Sequence, residues 1–214
     1  RAPPVVWNIR CSDMELRNYA WTTRVLVRVL AHLSGRPSAI MVNSKAGRRW
    51  HDRLGYRPRR WFVRPNGFQT DQLRPDPAVR ARRRRELGLP DAAVVFACAA
   101  RVDPMKDHAN LLAAFDRVRA QLPDTRLMLV GRGTDLHAGP LSRLAAEPDL
   151  AADILCLGEV TEGYNDLLQA VDILVLPSAF GEGFPNVLGE AMSLEVPCIA
   201  TDVGDAADVV RSEE

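Results

Sequence analysis

The segment that decides the fold runs from residue 173 to residue 192 and reads ILVLPSAFGEGFPNVLGEAM. Its first four residues are apolar, as expected of a buried parallel strand that ends at Leu176. A glycine-rich loop follows, and a helix is predicted to begin at Pro185 or Asn186, because proline is favoured in the first turn of a helix. The residues expected on the buried face of this helix are Val187, Leu188, Ala191 and Met192.

The same pattern, a short apolar run followed by a segment of helical periodicity, recurs along the chain. The predicted strands are residues 5–9, 38–43, 61–63, 94–99, 126–130, 154–157, 173–176 and 198–200. A helix within residues 15–33 is predicted to bury Leu26, Val29, Leu30 and Leu33. A second clear helix is marked by Leu111, Leu112, Phe115, Val118 and Leu122. The predicted fold class is therefore α/β, with Rossmann-like parallel sheets covered by helices.

Composition excludes several other classes of protein. The chain has 214 residues with 28 Lys plus Arg and 27 Asp plus Glu, so its formal net charge is +1. This balance gives no overall bias toward nucleic acid or an anionic membrane, and no apolar run approaches the ~18 residues of a membrane-spanning helix. The cysteines stand singly, which predicts small core residues rather than disulfides or a metal site. They are Cys11, Cys98, Cys156 and Cys198.

A change of character near residues 64–92 predicts a domain boundary. Several prolines punctuate this polar stretch, and the sequence Pro65-Asn66-Gly67 favours a turn. The predicted domains are residues 1–64 and residues 65–214. Because the first residue is Arg1 rather than Met, and neither domain has the elements of a complete one, we expect the chain to be a fragment of a longer protein.

A run of arginines follows this boundary, at positions 80 and 82–85. It allows two interpretations: contacts with nucleic acid phosphates, or the solvated face of a surface helix within residues 77–89. No aromatic residues are interleaved with the arginines, so the solvated face is favoured.

Two cations follow the strand at residues 94–99. Arg101 and Lys106 stand five residues apart in a loop broken by Pro104, so both can converge on one anion such as a diphosphate. The alternative, held with equal weight, is that they are surface residues paired with Asp103 and Asp107.

Glycine-rich turns follow two further strands. Gly131 and Gly133 favour a turn, because the full dinucleotide-binding pattern is absent. Near the predicted helix start, the backbone amides of Gly183, Phe184, Asn186 and Val187 form a site for phosphate oxygens. Glu182 and Glu190 can accept hydrogen bonds from hydroxyl groups beside that phosphate. The alternative makes Glu182 a partner of the helix dipole and Glu190 a solvated residue.

These motifs together resemble the retaining glycosyltransferases of the GT-B fold. The particular family is glycosyltransferase family 4, group 1 type, which includes sucrose synthases and bacterial polysaccharide and lipopolysaccharide glycosyltransferases. The resemblance covers residues 61–210 and rests on Asn66-Gly67, Arg101 with Lys106, Gly131-x-Gly133, the spacing from Glu182 to Glu190, and residues 200–205. It implies two Rossmann-like domains facing a cleft. Residues 1–64 would be the last part of the amino-terminal, acceptor-side domain, and residues 65–214 a donor-binding domain truncated at its end.

The resemblance also implies roles for individual residues. Arg101 and Lys106 would contact the diphosphate and stabilise the leaving group, and Glu182 would touch the donor sugar; these three are the expected catalytic residues. The expected donor-binding residues are Gly131, Gly133, Gly158, Val160, Gly183, Phe184, Pro185, Asn186, Val187 and Glu190, with Glu190 on the ribose. No metal and no cofactor is implied beyond the UDP- or GDP-linked sugar that serves as substrate.

The implied function is transfer of a hexose to a glycan or lipid-linked acceptor with retention of configuration, in cell-surface polysaccharide or lipopolysaccharide synthesis. We expect a cytoplasmic enzyme at the inner face of the membrane, with peripheral contact through the absent part of its amino-terminal domain, and no nucleic-acid partner. The alternatives are a nucleotide-sugar epimerase of the same fold and a non-catalytic nucleotide-sugar-binding fragment.

Two positions depart from the pattern of this family. Lys106 is followed by Asp107 where relatives usually have glycine, and Arg10 stands near the place where relatives often have histidine. The histidines of this chain are expected on the surface or in helices, with His108 a further candidate for the site. They are His32, His51, His108 and His137.

Overall fold

The computed structural model describes residues 3–12, 16–136 and 138–210. The chain divides into two compact units. The first comprises Arg1–Gly67, Phe180–Asn186 and Asp202–Glu214, and the second comprises Phe68–Ala179 and Val187–Thr201. The assignment of residues 1–64 and 65–214 to acceptor-side and donor-side domains stays a prediction. No helix among the described residues is both long enough and apolar enough to cross a membrane.

The first unit is built on a three-stranded parallel sheet of order β1-β2-β3. Its elements are β1 (Val6–Ile9), α1 (Trp21–Leu33), β2 (Ala39–Val42), α2 (Lys45–Arg53), β3 (Trp61–Val63) and α9 (Ala206–Val209), with a 3₁₀ turn at Leu16–Asn18. The register places Ile40 of β2 between Trp7 of β1 and Trp61 of β3. A small core of Ala31, Ile40, Val42 and Tyr56 joins α1 to this sheet.

The predicted apolar face of α1 is partly wrong. Leu26 and Val29 are 56% and 48% exposed, and Ala31 is the buried residue of the helix, with Val27 and Leu30 packed against the core. Because most of the thirteen residues of α1 are not charged, both of its sides read as apolar in the sequence. Packing against Ile40 and Tyr56 decides which side faces the sheet.

The second unit contains a five-stranded parallel sheet of order β6-β5-β4-β7-β8. Its strands are β4 (Val94–Ala99), β5 (Thr125–Val130), β6 (Ile154–Cys156), β7 (Ile173–Leu176) and β8 (Cys198–Ala200). Its helices are α3 (Pro77–Glu86), α4 (His108–Arg119), α5 (Arg143–Ala146), α6 (Pro148–Ala151), α7 (Tyr164–Leu168) and α8 (Asn186–Ser193), with 3₁₀ turns at Pro104–Lys106 and Gly139–Leu141. The predicted strands and the α/β class are confirmed, each strand to within one residue at either end.

The core of this unit lies between α4 and the strands β4 and β5. Leu111, Leu112 and Phe115 of α4 pack against Leu127 and Leu129 of β5, as the periodicity of the sequence predicts. Leu122 lies beyond the end of α4 and is exposed. The chain order makes β4 the first strand of this sheet, and β7 joins it on the side opposite β5, so the strand order reverses direction at β4.

The arginine run is only partly a solvated helix face, which corrects the prediction. Arg84 is 4% exposed, and its guanidinium group lies 3.1 Å from the carboxylate of Asp172 and donates to the carbonyl of Pro90 at 2.8 Å. Arg80 also pairs with Asp172, and Arg82 pairs with Asp166. These acidic partners lie more than eighty residues away along the chain, so the run of arginines could not reveal them.

Several smaller predictions about burial also fail. In α8, Met192 was predicted to be buried but is 47% exposed. Gly189 is buried instead, and the ring of Phe68 occupies the space where a side chain at position 189 would stand. Cys11 is exposed rather than a core residue. The prediction for the histidines holds for two of them, because His51 lies in α2 and His108 in α4, where they are 3% and 0% exposed; His137 lies outside the described residues.

Candidate active site

An open cleft lies at the carboxyl ends of three neighbouring strands of the second unit. Its volume is about 390 Å³. The residues that line it are Ala99, Ala100, Arg101 and Lys106 after β4, Val130, Gly131 and Arg132 after β5, Glu159 and Val160 after β6, and Tyr164 at the start of α7. In open parallel sheets, ligands bind at this edge where the strand order reverses. Of the residues predicted for the site, Arg101, Lys106, Gly131 and Val160 line this cleft, whereas the loop after β7 does not.

A close backbone contact forms the floor of the cleft. Gly131 has φ of 137°, and a Cβ atom there would overlap the carbonyl group of Ala100. The amide of Ala100 donates to the carbonyl of Val130 at 2.8 Å, and the amide of Val102 donates to that of Arg132 at 2.9 Å. Only glycine fits at position 131, because the backbone conformation and the contact both exclude a side chain. The two loops are therefore held together where a ligand would lie.

Three cationic side chains line this cleft: Arg101, Lys106 and Arg132. The guanidinium group of Arg101 is half-exposed and lies 3.1 Å from the carboxylate of Asp103, as one of the two sequence interpretations predicted. That carboxylate also accepts a hydrogen bond from the amide of Met105 at 2.9 Å, which fixes the turn between Arg101 and Lys106. The ion pair and the cleft coexist, because the exposed guanidinium group retains donors that can face a ligand.

Asp107 explains one departure from the family pattern. It has φ of 43° and ψ of 49°, the left-handed conformation that glycine adopts most easily and aspartate tolerates. Its side chain accepts a hydrogen bond from the amide of Asn110 at the start of α4. Asp107 thus fills a position suited to glycine and also caps the helix that follows the cationic loop.

His108, the next residue, is fully buried at the first position of α4. Burial lowers the pKa of its imidazole, and the nearby charge of Lys106 lowers it further, although the carbonyl of Ala100 opposes the shift. The ring is fully buried directly after the cationic loop. It is not among the residues that line the cleft.

Tyr164 and Glu190 connect the cleft to α8. Tyr164 and Glu190 interact closely enough for each side chain to shift the pKa of the other. Burial raises the pKa of Glu190, and the hydrogen bond from Tyr164 partly offsets this rise. Burial and the charge of Glu190 raise the pKa of Tyr164 in turn. Glu190 is half-buried and bonded, so it is not the solvated residue of the alternative interpretation.

Gly133 and Gly158 lie in the turns beside the cleft rather than in its lining. Both have positive φ, of 88° and 67°. The amide of Gly131 donates to the carbonyl of Gly158 at 2.7 Å, and the amide of Gly158 donates to the hydroxyl group of Thr134 at 3.0 Å. These bonds tie the turn after β5 to the turn after β6. Val160 lines the cleft directly.

The loop that carries Glu182 belongs to the first unit. Glu182 is 6% exposed, and Gly204, with φ of 68°, packs directly on its backbone carbonyl. A Cβ atom at Gly183 would lie 3.3 Å from Oδ1 of Asn43 and 3.4 Å from Oγ of Ser44. The segment from residue 182 to residue 186 is therefore closely packed.

The end of this loop is held by amide side chains. Nδ2 of Asn66 donates to Oδ1 of Asn186, and the guanidinium group of Arg10 donates to Oδ1 of Asn66 at 2.9 Å. Asn186 begins α8, as predicted, and Pro185 precedes it in a buried position, whereas Phe184 and Val187 are half-buried.

Sequence reasoning missed two residues that line the cleft, Arg132 and Tyr164. Arg132 stands between two glycines that drew attention to the turn rather than to the side chain. Tyr164 follows Gly163, and this glycine was the signal in the sequence for a turn; in the structure its φ is 67°. Within the described parts of the chain, no three His, Cys, Asp or Glu side chains come together as a metal site.

Comparison with known families decides what this architecture is. The family model described as "Glycosyl transferases group 1" matches residues 93–214, which is more than half of the chain. The chain belongs to the group 1 glycosyltransferase family. The matched region of this group 1 chain contains each residue that lines the cleft.

Curated relatives of this group 1 chain carry names of enzymes. It is 33% identical over 153 residues to the GDP-mannose-dependent alpha-(1-6)-phosphatidylinositol monomannoside mannosyltransferase of Mycolicibacterium smegmatis, covering 68% of this chain and 39% of the relative. It is 35% identical over 168 residues to the D-inositol 3-phosphate glycosyltransferase of Geodermatophilus obscurus, covering 75% and 37%. The group 1 chain thus spans about two fifths of the length of these relatives.

Solved structures confirm the GT-B architecture. Anabaena HepE, solved in complex with UDP-glucose, superimposes with a TM-score of 0.83 at 25% sequence identity. The match covers 98% of this group 1 chain and 56% of HepE. The predicted family and fold class are therefore both confirmed.

Proposed function

We propose that the protein of which this chain is part transfers a hexosyl group from a nucleoside diphosphate sugar to a glycan or lipid-linked acceptor. The observation that carries the proposal is the cleft at the carboxyl ends of β4, β5 and β6, which three cations line. Its volume of about 390 Å³ lies within the range of small-molecule sites. Cations and backbone amides around one cleft suit a diphosphate, which carries negative charge on several oxygens.

The roles proposed for the cations follow from the chemistry of the reaction. The bond between the anomeric carbon and the diphosphate oxygen breaks, and the nucleoside diphosphate leaves with the bonding electrons. The acceptor hydroxyl forms the new bond to the anomeric carbon and loses its proton. Negative charge therefore grows on the leaving diphosphate, and Arg101 and Lys106 would stabilise it without reorganisation because the fixed turn holds them in place. We expect the reaction to proceed without a metal ion.

The remaining roles are proposed from the resemblance together with the burial of these residues. Glu182, held in a packed loop, would contact the donor sugar, and the amides of residues 183–187 would hold sugar and phosphate oxygens. Glu190 would accept hydrogen bonds from the ribose hydroxyls. The part of the site that holds the nucleotide would be shaped by Gly131, Gly133, Gly158 and Val160. Retention of anomeric configuration is expected from the family resemblance.

The names of the relatives support a proposal about the donor and the acceptor. The name of the M. smegmatis relative gives GDP-mannose as donor and a phosphatidylinositol monomannoside as acceptor. The name of the G. obscurus relative gives inositol 3-phosphate, and HepE was solved with UDP-glucose. We propose a UDP- or GDP-linked hexose as donor, with lipid-linked acceptors used at the cytoplasmic face of the membrane.

The test is a donor panel with the full-length protein. UDP-glucose and GDP-mannose are each incubated with and without a lipid-linked mannoside or glycan acceptor, and the products are followed by mass spectrometry. Transfer that requires the acceptor, and that disappears in the Lys106→Ala variant, supports the proposal. Conversion of the free nucleotide sugar into its epimer without acceptor would instead identify an epimerase. Absence of any turnover would leave a binding module and contradict the proposal.

A further inference from the structure

Asp205 makes an unusual set of contacts within the first unit. It is 5% exposed, and its carboxylate accepts hydrogen bonds from the backbone amides of Lys45 at 2.6 Å and Ala46 at 2.7 Å. These amides are the first two of α2, which lies about 160 residues earlier in the chain. The first amides of a helix have no partner inside the helix, and they need an acceptor from elsewhere.

The start of α2 is capped jointly by two residues. The hydroxyl group of Ser44, the local cap, accepts from the amide of Gly47 at 2.9 Å. Asp205 supplies the acceptors for the two amides that Ser44 does not reach. Its negative charge also lies at the positive end of the helix dipole, so these bonds are charge-assisted and stronger than ordinary ones.

The backbone of Asp205 holds the loop that carries Glu182. The amide of Asp205 donates to the carbonyl of Gly183 at 3.1 Å. The residue before it, Gly204, has φ of 68° and packs so closely on the backbone of Glu182 that a Cβ atom would overlap its carbonyl group. Residues 204 and 205 therefore fix the backbone of two successive loop residues, 182 and 183.

We propose that Asp205 is a positioning residue, which fixes the Glu182–Gly183 backbone by anchoring it to the start of α2. This inference rests on the proposed function only in taking residues 182–187 as the segment that contacts the donor sugar. Loss of the carboxylate removes two charge-assisted bonds and frees the first amides of α2. The bond from the Asp205 amide to the Gly183 carbonyl then no longer ties the loop to the start of α2.

The variant that tests this is Asp205→Asn, which keeps the size of the side chain but places an N–H₂ group against a backbone N–H. The matched control is Asp208→Asn. Asp208 forms an exposed ion pair with the Lys45 side chain at 3.3 Å, so the control removes the same charge near the same helix without touching its amides. An exposed pair of this kind contributes little to stability.

The first measurement is amide hydrogen exchange on the chain, which needs no ligand. In Asp205→Asn we expect exchange about tenfold faster in peptides covering residues 44–48 and 180–186, since bonds to a charged group contribute more than neutral ones. The control should match the wild type. Equal exchange in the two variants would overturn the proposal whatever the protein does with nucleotides.

The second measurement is calorimetric titration with UDP, GDP, UDP-glucose and GDP-mannose. Asp205→Asn should weaken binding of the nucleotide sugar about five- to tenfold and weaken binding of the free nucleotide clearly less, because residues 182–187 would contact the sugar as well as the phosphate. Equal weakening of both would show a general structural role, and unchanged binding of the sugar would show that the anchored loop does not serve the donor; each result overturns the proposal. Wild-type protein that binds none of the four contradicts the proposed function instead, and hydrogen exchange then decides whether Asp205 anchors the loop.

Discussion

Tyr164, which lines the cleft, interacts with Glu190 of α8, and each side chain shifts the pKa of the other. The interaction gives this half-buried carboxylate a polar partner next to the cleft lining. A half-buried carboxylate is suited to accept hydrogen bonds from a pair of neighbouring hydroxyl groups, such as those of a ribose. Selection of ribose would then depend on Tyr164 as well as on Glu190.

The variant Tyr164→Phe should therefore reduce the preference of the chain for ribonucleotides. Wild-type protein is expected to bind UDP or GDP more tightly than the corresponding 2′-deoxy nucleotide. In the variant, the ratio of these two affinities should fall about threefold to tenfold, as expected for loss of one hydrogen bond to a charged group. Titration calorimetry with each nucleotide pair measures this. Tyr56→Phe, in the first unit, is the matched control, and an unchanged ratio in Tyr164→Phe would contradict the role.

Nucleotide binding should also depend on pH through Glu190. Burial raises the pKa of Glu190, so this carboxyl group takes up its proton at a higher pH than an ordinary glutamate. Only the ionised form accepts hydrogen bonds through both oxygens, and affinity should fall as the pH is lowered through the raised pKa. Because the Tyr164 hydrogen bond lowers this pKa, Tyr164→Phe should move the fall to a higher pH. Titrations between pH 4 and pH 8 measure the midpoint, and a midpoint unaltered by Tyr164→Phe would contradict the assignment.

At position 107, replacement by glycine should affect stability less than replacement by alanine. Asp107→Gly should change the free energy of unfolding by less than about 0.5 kcal/mol, because glycine adopts the left-handed conformation and is a fair helix cap. Asp107→Ala loses the cap and is strained at φ of 43°, and should destabilise the chain by about 2 kcal/mol. Urea denaturation distinguishes the two. Equal effects of glycine and alanine would mean that the backbone conformation at residue 107 is not what selects the residue.

The ion pair between buried Arg84 and Asp172 should contribute far more to the free energy of unfolding than the exposed arginines of α3. Burial alone would raise the pKa of Asp172, but hydrogen bonds from the Val95 amide, Arg80 and Arg84 outweigh it and lower the pKa. Arg84→Met removes one of the partners of this carboxylate and leaves the carbonyl groups of Pro90 and Ala93 without their buried donor, and should cost about 3 kcal/mol. Arg85→Met, on the exposed side of α3, should cost less than about 0.5 kcal/mol.

The contribution of Asp172 also predicts how stability varies with pH. A carboxyl group whose pKa is lowered in the folded state stabilises the protein above its unfolded pKa, and this stability is lost as the pH falls through the folded value. The difference between wild type and Arg84→Met, followed by urea denaturation, should therefore shrink in acid. A constant difference down to pH 2 would contradict the ion pair as its cause.

The sequence predicted the parts of the fold and site that depend on local patterns. Each of the signals that it used involves residues close together in the sequence. They are the apolar runs, the glycine-rich turns after β5 and β7, and the five-residue spacing of Arg101 and Lys106. These signals located the strands and the loops at their carboxyl ends. The pairing of Tyr164 with Glu190, and of Arg84 with Asp172, joins residues far apart along the chain. Neither pair leaves a local signal, and only the folded backbone brings its members together.

Whether Arg101 and Lys106 hold a diphosphate can be measured by calorimetric titration with UDP and with GDP. The titrations compare the wild-type chain with its Arg101→Ala and Lys106→Ala variants. A diphosphate held by these cations predicts measurable binding of at least one nucleotide, and a loss of about tenfold or more in each variant, as for a charge-assisted hydrogen bond. Arg117→Ala, on the exposed side of α4, should bind as the wild type does. Binding of neither nucleotide, or binding that is unchanged in both cleft variants, would contradict the assignment of this cleft as the site of the donor.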